Sequence, residues 1–89
     1  MEIPQRIVIR EQEFEEQLEA LLVNMEEADA FTLGAEIVLA LDPLIGTPAS
    51  SDGSIWHLPM PPVRGLRVSL FYTFDESVVV FLAIVAHDD

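Results

Sequence analysis

The C-terminal third of the chain constrains the fold more tightly than any other stretch. Leu66, Val68, Leu70, Tyr72 and Phe74 alternate with Arg67, Ser69, Phe71 and Thr73. That is the period-2 signature of a strand with one firmly buried face. Asp75-Glu76-Ser77 interrupts the run where a hairpin turn belongs, and Val78 to Ala86 resumes it without a polar residue. A strand apolar on both sides is covered on both sides, so a second layer must lie on at least one face of this sheet.

The rest of the chain supplies that layer. Ile7 and Ile9 between Arg6 and Arg10 predict a short strand, and Pro4 just before it suits an edge or a strand start. From Glu11 to Glu27 the period changes. Phe14, Leu18, Leu21, Leu22 and Met25 form one helical stripe, with Glu13, Glu15, Glu16 and Glu19 outside it. Glutamates in a first turn also favour the helix dipole. The stripe pauses at Glu26–Asp29, and Asp29 is a candidate cap for a second helix carrying Phe31, Ala35, Val38 and Leu39. One bent helix and a helical hairpin both satisfy this spacing, and Gly34 weakens an unbroken helix. Pro43 disfavours helix at Asp42 and closes the helical region. After a small polar loop, Ile55-Trp56-His57-Leu58 predicts a third strand, cut off by Pro59, with Met60–Val63 an extended connection or wide loop. The expected fold is α+β, a single domain over residues 1–89. An N-terminal strand leads into one long bent helix or a helical hairpin, packed on a small, mostly antiparallel four-stranded sheet.

Composition excludes several function classes. A chain of 89 residues buries only about 60–65% of its unfolded surface. With 51% apolar residues it holds slightly more than one monomer hides, which leaves surface for a second copy or a partner. The absence of cysteine excludes disulfides and thiolate metal sites. No run approaches the roughly 20 apolar residues of a membrane helix, and the N-terminus lacks the layout of a signal peptide, so a cytoplasmic protein is expected. Sixteen acids face four arginines, with no lysine, for a net charge of −12. Such a body repels phosphate backbones and offers few counterion-releasing contacts, so direct nucleic-acid binding is not expected. The acids serve as a solubilising surface or as a patch for a basic partner.

In this order the motifs resemble the RelE/ParE toxin superfamily of bacterial toxin–antitoxin systems. A helical pair precedes Asp42-Pro43-Leu44-Ile45-Gly46-Thr47-Pro48. There follow the strand Ile55-Trp56-His57-Leu58, the strand holding Arg67 and Tyr72 with its acidic turn, and a valine-rich strand ending at Ala86-His87. The resemblance implies a RelE-like fold and a small toxin held inactive by an antitoxin peptide. RelE-type members cut messenger RNA on the ribosome, whereas ParE-type members act on DNA gyrase. It also implies Arg67, Tyr72 and His87 as the catalytic set of a metal-independent endoribonuclease, which needs a base, an acid and cations around the phosphate.

The chain departs from the pattern at Pro59, Thr73 and the terminal Asp88-Asp89, where basic or aromatic residues are usual in the family. With its overall acidity, these departures favour a divergent member acting by protein–protein interaction without ribonuclease activity. An antitoxin-like peptide binding here is expected to be rich in lysine and arginine. The alternatives are an unrelated small α+β interaction module that homodimerises through the sheet edge or the Val78–Ala86 strand, and an active ribosome-dependent ribonuclease. No cofactor is expected, and no metal, because His57 and His87 lack any ligand spacing. Trp56 reads as an anchor of the sheet against the helices, and Arg64 and Arg67 as partners for acids of the helical half.

Overall fold

The computed structural model describes residues 5–22 and 24–88. Along the chain run β1 (Ile7–Arg10), α1 (Gln12–Leu21), α2 (Met25–Leu41), a 3-10 turn (Pro43–Ile45), β2 (Thr47–Pro48), β3 (Trp56–Val63), β4 (Leu66–Phe74) and β5 (Val78–His87). The sheet order is β1-β5-β4-β3-β2, with β1 parallel to β5 and every other pair antiparallel. The sheet therefore has five strands rather than the expected four. The extra one, β2, is a two-residue pairing with no alternation to reveal it. Pro4 and Asp89 lie outside the described residues.

Two helices form, not one bent helix. Asn24 divides them, its Oδ1 accepting from the N–H groups of Glu26 at 2.8 Å and Glu27 at 3.3 Å. Asparagine caps as well as aspartate does, but here the apolar stripe ran on through Met25 and concealed it. Met25 in fact opens α2 and is 69% exposed, while the expected cap Asp29 sits inside the helix on its surface.

Phe14 and Leu18 of α1 bury against β5, and Phe14 meets the Phe81 ring edge-on at 5.3 Å. Gln17 Oε1 accepts from the Ile84 N–H at 2.8 Å, next to the register shift that sets Leu82 out of the β4–β5 ladder. Leu39 of α2 completes the core with Val68, Leu70, Tyr72 and Val79. Trp56 packs edge-on against Phe74 at 5.4 Å and donates its indole N–H to the Gly53 carbonyl.

β3 continues through Pro59, Pro61 and Pro62, where a break was expected. Proline lacks the N–H that an interior strand uses. Here β2 pairs only with Trp56 and His57, so among the described residues the outer edge beyond them has no neighbouring strand to supply. The β3–β4 hairpin closes through Arg64 (φ 50°) and Gly65 (φ 79°), the two positive angles that a tight two-residue turn requires.

Arg10 of β1 pairs with helical acids. It binds Glu36 and Glu15, and its Nη2 also donates to Thr32 Oγ1 at 2.9 Å. Burial opposes its charge, but the hydrogen bonds and charges of Glu36 and Glu15 outweigh that and hold its pKa above the ordinary value. Arg64, expected to meet an acid, donates instead to the Leu21 carbonyl at the end of α1, at 3.1 Å.

Two exposed aspartates organise loops and make stability depend on acid. Asp52 accepts from the hydroxyls of Ser50 and Ser54, both at 2.7 Å, and from the Ser54 N–H, which brings its pKa down to about 2. Asp75 accepts from the N–H groups of Ser77 and Val78 in the β4–β5 turn, and these bonds lower its pKa too. A depressed folded-state pKa contributes stability above the unfolded value and loses it as pH falls through the folded one. Urea midpoints are therefore expected to fall as pH drops from about 4 towards 2, with Asp52→Asn flattening part of the slope. Midpoints level down to pH 2 would contradict these assignments.

Candidate functional site

The alternation of β4 divides its side chains between two environments. Val68, Leu70 and Tyr72 enter the helical layer, while Arg67, Ser69, Phe71 and Thr73 lie on the opposite face, which neither α1 nor α2 covers. Strand register then builds a cluster on that open face. Arg67 pairs with His87 of β5, Pro59 of β3 faces Ser69, and His57 faces Phe71. His57 Nε2 and Ser69 Oγ are 3.0 Å apart, and the His57 ring tilts against Phe71 at a centroid distance of 5.4 Å. His57, Pro59, Met60, Pro62, Arg67, Val68, Ser69 and His87 line one shallow concavity of about 530 Å³.

Among the described residues, no carboxylate lines this concavity. One guanidinium and two imidazoles meet there. Imidazole is the side chain best suited to exchanging protons near neutrality, and a guanidinium offers a planar fork to an oxyanion. Among the described residues, no group of three or more histidine, aspartate or glutamate side chains is placed to hold a metal ion.

Two of the three residues implied by the resemblance, Arg67 and His87, come together here. Tyr72 does not. It is fully buried on the other side of the sheet, where its hydroxyl donates to the Pro43 carbonyl at 2.6 Å and accepts from the Gly46 N–H. Burial raises its pKa, and the nearby Asp42 carboxylate adds to the effect. The tyrosine and the 42–48 segment are therefore one packing unit. A Cβ on Gly46 would lie 2.4 Å from Tyr72 Oη and 2.6 Å from the His57 carbonyl oxygen, so only glycine fits.

His57 is the member of the cluster that sequence reasoning passed over. Trp56, Leu58 and Met60 alternate around it and place it on the face away from the helices, but only the β3–β4 register sets it beside Ser69.

No protein-family model matches the chain, and no curated protein matches it significantly. Among solved structures, it is similar to a chain of the toxin–antitoxin complex RelBE2 from Mycobacterium tuberculosis, with 21% sequence identity and a TM-score of 0.70. That alignment covers 99% of this chain and 98% of the other. The likeness extends over helices, sheet and hairpin alike, and the fold of this chain is RelE-like.

Proposed function

We propose that this chain is a toxin–antitoxin-type protein that acts by binding another protein and does not cut RNA. The observation that carries this reading is the outward side of α2 and the turn after it. Leu33, Ile37, Val38, Leu41, Leu44 and Ile45 are all exposed there. Contiguous apolar surface of this kind marks interaction sites on small soluble proteins. Charge supports the second half of the reading. A net −12 repels a polynucleotide, and among the described residues the open-face concavity offers one guanidinium to a phosphate.

A second reading has one specific observation in its favour. The concavity gathers His57, Ser69, Arg67 and His87, which suits metal-independent cleavage of a phosphodiester. In that scheme one histidine takes the proton of the 2′-hydroxyl as it attacks phosphorus. The other protonates the departing 5′-oxygen, and Arg67 holds the phosphate. The buried Tyr72 positions the loop and touches no substrate.

Inducible expression in bacteria separates the two. Growth is expected to slow while transcript 5′ ends stay unchanged, and the effect is expected to persist in the Arg67→Ala/His87→Ala double variant. Transcript cleavage relieved by that double variant would establish the second reading instead.

A further inference from the structure

β5 does not keep one alternation along its length. Val79 and Phe81 are buried on the helix side, and regular alternation would send Ala83, Val85 and His87 the same way. Instead Ile84 is buried, Val85 is exposed, and His87 stands opposite Arg67. The inversion comes from Leu82. Tyr72 pairs with Phe81 and Phe71 with Ala83, so one residue stands outside the ladder and every later side chain changes face. The pairing set at the turn, Phe74 with Val79, would otherwise run on to place Leu66 opposite His87 and Arg67 opposite Ala86. We propose that Ile84 is the positioning residue of the open-face cluster: its burial selects the shifted register, and that register sets His87 opposite Arg67. The cluster is assembled in this way under either reading above.

One place in the sheet makes the choice. The position opposite Leu70 faces the core, and its backbone N–H meets Gln17 Oε1 of α1 at 2.8 Å. β1 ends opposite Phe81, so among the described residues the glutamine stands in for a further strand there. Gln17 accepts from whichever residue occupies the position, so it does not tell the two registers apart. The side chain does. In the shifted register Ile84 fills the position and is 3% exposed. In the unshifted one Ala83 would sit there and leave most of that space empty.

Two further residues weigh on the same equilibrium. Opposite Val68 the shifted register packs Ala86 on the core, whereas the unshifted one would bury Val85, which offsets part of the advantage of Ile84. At the end of the strand, the unshifted register would turn His87 to the helix side and strip water from its imidazole, which favours the shifted register again. The run from Val78 to Ala86 has no polar side chain to fix its own register, so the placing of Ile84 decides. Neither Ala83 nor Ile84 lines the concavity that holds His57, Arg67, Ser69 and His87, so exchanging them alters no residue of the cluster itself.

Nuclear magnetic resonance of the isotope-labelled full-length chain reads the register directly. The Asp75 N–H donates to the Val78 carbonyl, so the ladder bonds fall on open-face pairs and the helix-facing pairs are the closely spaced ones. The parent is expected to show a cross-strand Hα contact between Val68 and Ala86. The Ala83→Ile/Ile84→Ala double variant keeps the composition constant. It is expected to show Val68 against Val85 instead, with contacts from the His87 ring to the Leu66 methyl groups. Moving the isoleucine is expected to move the register equilibrium by more than about tenfold. Ile84→Val is expected to lower the urea midpoint and keep the Val68–Ala86 contact, which separates lost stability from lost register. Deletion of Leu82 removes the extra residue itself and is expected to leave Arg67 opposite His87 in an unbroken ladder, with the Val68–Ala86 contact intact. A double variant that retains the Val68–Ala86 contact, or a Leu82 deletion that loses it, would overturn the proposal. Failure of the double variant to fold would do the same, because the unshifted register must accommodate it.

Discussion

Phe14→Ala is expected to destabilise the fold by about 3–5 kcal/mol, the usual cost of removing a fully enclosed aromatic ring. Phe14 has no exposed surface, and its ring sits edge-on to Phe81, which is equally enclosed. These two rings join α1 to β5, so the void opens at the junction of the two layers. A domain of this size has a total stability on the order of 5–13 kcal/mol, and a loss this large takes a substantial fraction of it. Urea titration followed by circular dichroism is expected to show a much lower midpoint with an unchanged slope. Leu33→Ala, on the exposed side of α2, is expected to fall within about 0.5 kcal/mol of the parent. Similar losses at both positions would mean that the helical layer is not seated as described.

Gly46→Ala is the second large effect, and its origin is crowding rather than a void. The added methyl would stand 2.4 Å from Tyr72 Oη and 2.6 Å from the His57 carbonyl oxygen, and the second contact is backbone that cannot swing aside. Overpacking of this kind costs about 1–3 kcal/mol, which lowers Tm by roughly 5–20 °C in a domain of this length. Tyr72→Phe alone strips the partner from the Pro43 carbonyl and the Gly46 N–H and is expected to cost about 1–2 kcal/mol. The two changes share one contact, so the double variant is expected to lose less than the sum of the singles, because removing the hydroxyl relieves part of the clash. Strict additivity would contradict the described contact between the 42–48 segment and Tyr72.

Much of this architecture was legible in the residues. The alternation from Leu66 to Phe74, the acidic break and the apolar run after it define β4 and β5 because both signals, period and turn chemistry, are local. The boundary between α1 and α2 was harder. Asn24 is a good cap, yet Met25 continued the apolar spacing and drew the first helix too far. β3 was cut short at Pro59 because a proline reads as a stop until the strand is known to be an edge, and edges are set by pairing between distant segments. The candidate site was half visible for the same reason. Arg67 and His87 lie on the two strands of the β4–β5 hairpin, but they face each other only because the bulge at Leu82 shifts the register set at the turn by one residue. His57 joins them only through the β3–β4 register, across a bulge between Met60 and Val63 that no periodicity announces. Tyr72 sits on the even-numbered, helix-facing side of β4, and its own alternation pattern already set it apart from Arg67.

Charge was legible only in total. The sequence states −12, but folding segregates it, placing acids on the helices and turns and leaving an open sheet face that carries an arginine and two histidines. Whether that face acts on RNA is the question on which the functional account turns.

Mapping of 5′ ends on a defined messenger, incubated with translating ribosomes and the purified chain, addresses this most directly. The account predicts no new ends at any salt concentration and no salt-sensitive retention of ribosomes by the protein. New ends that vanish on Arg67→Ala and His57→Ala, with the fold intact, would contradict it.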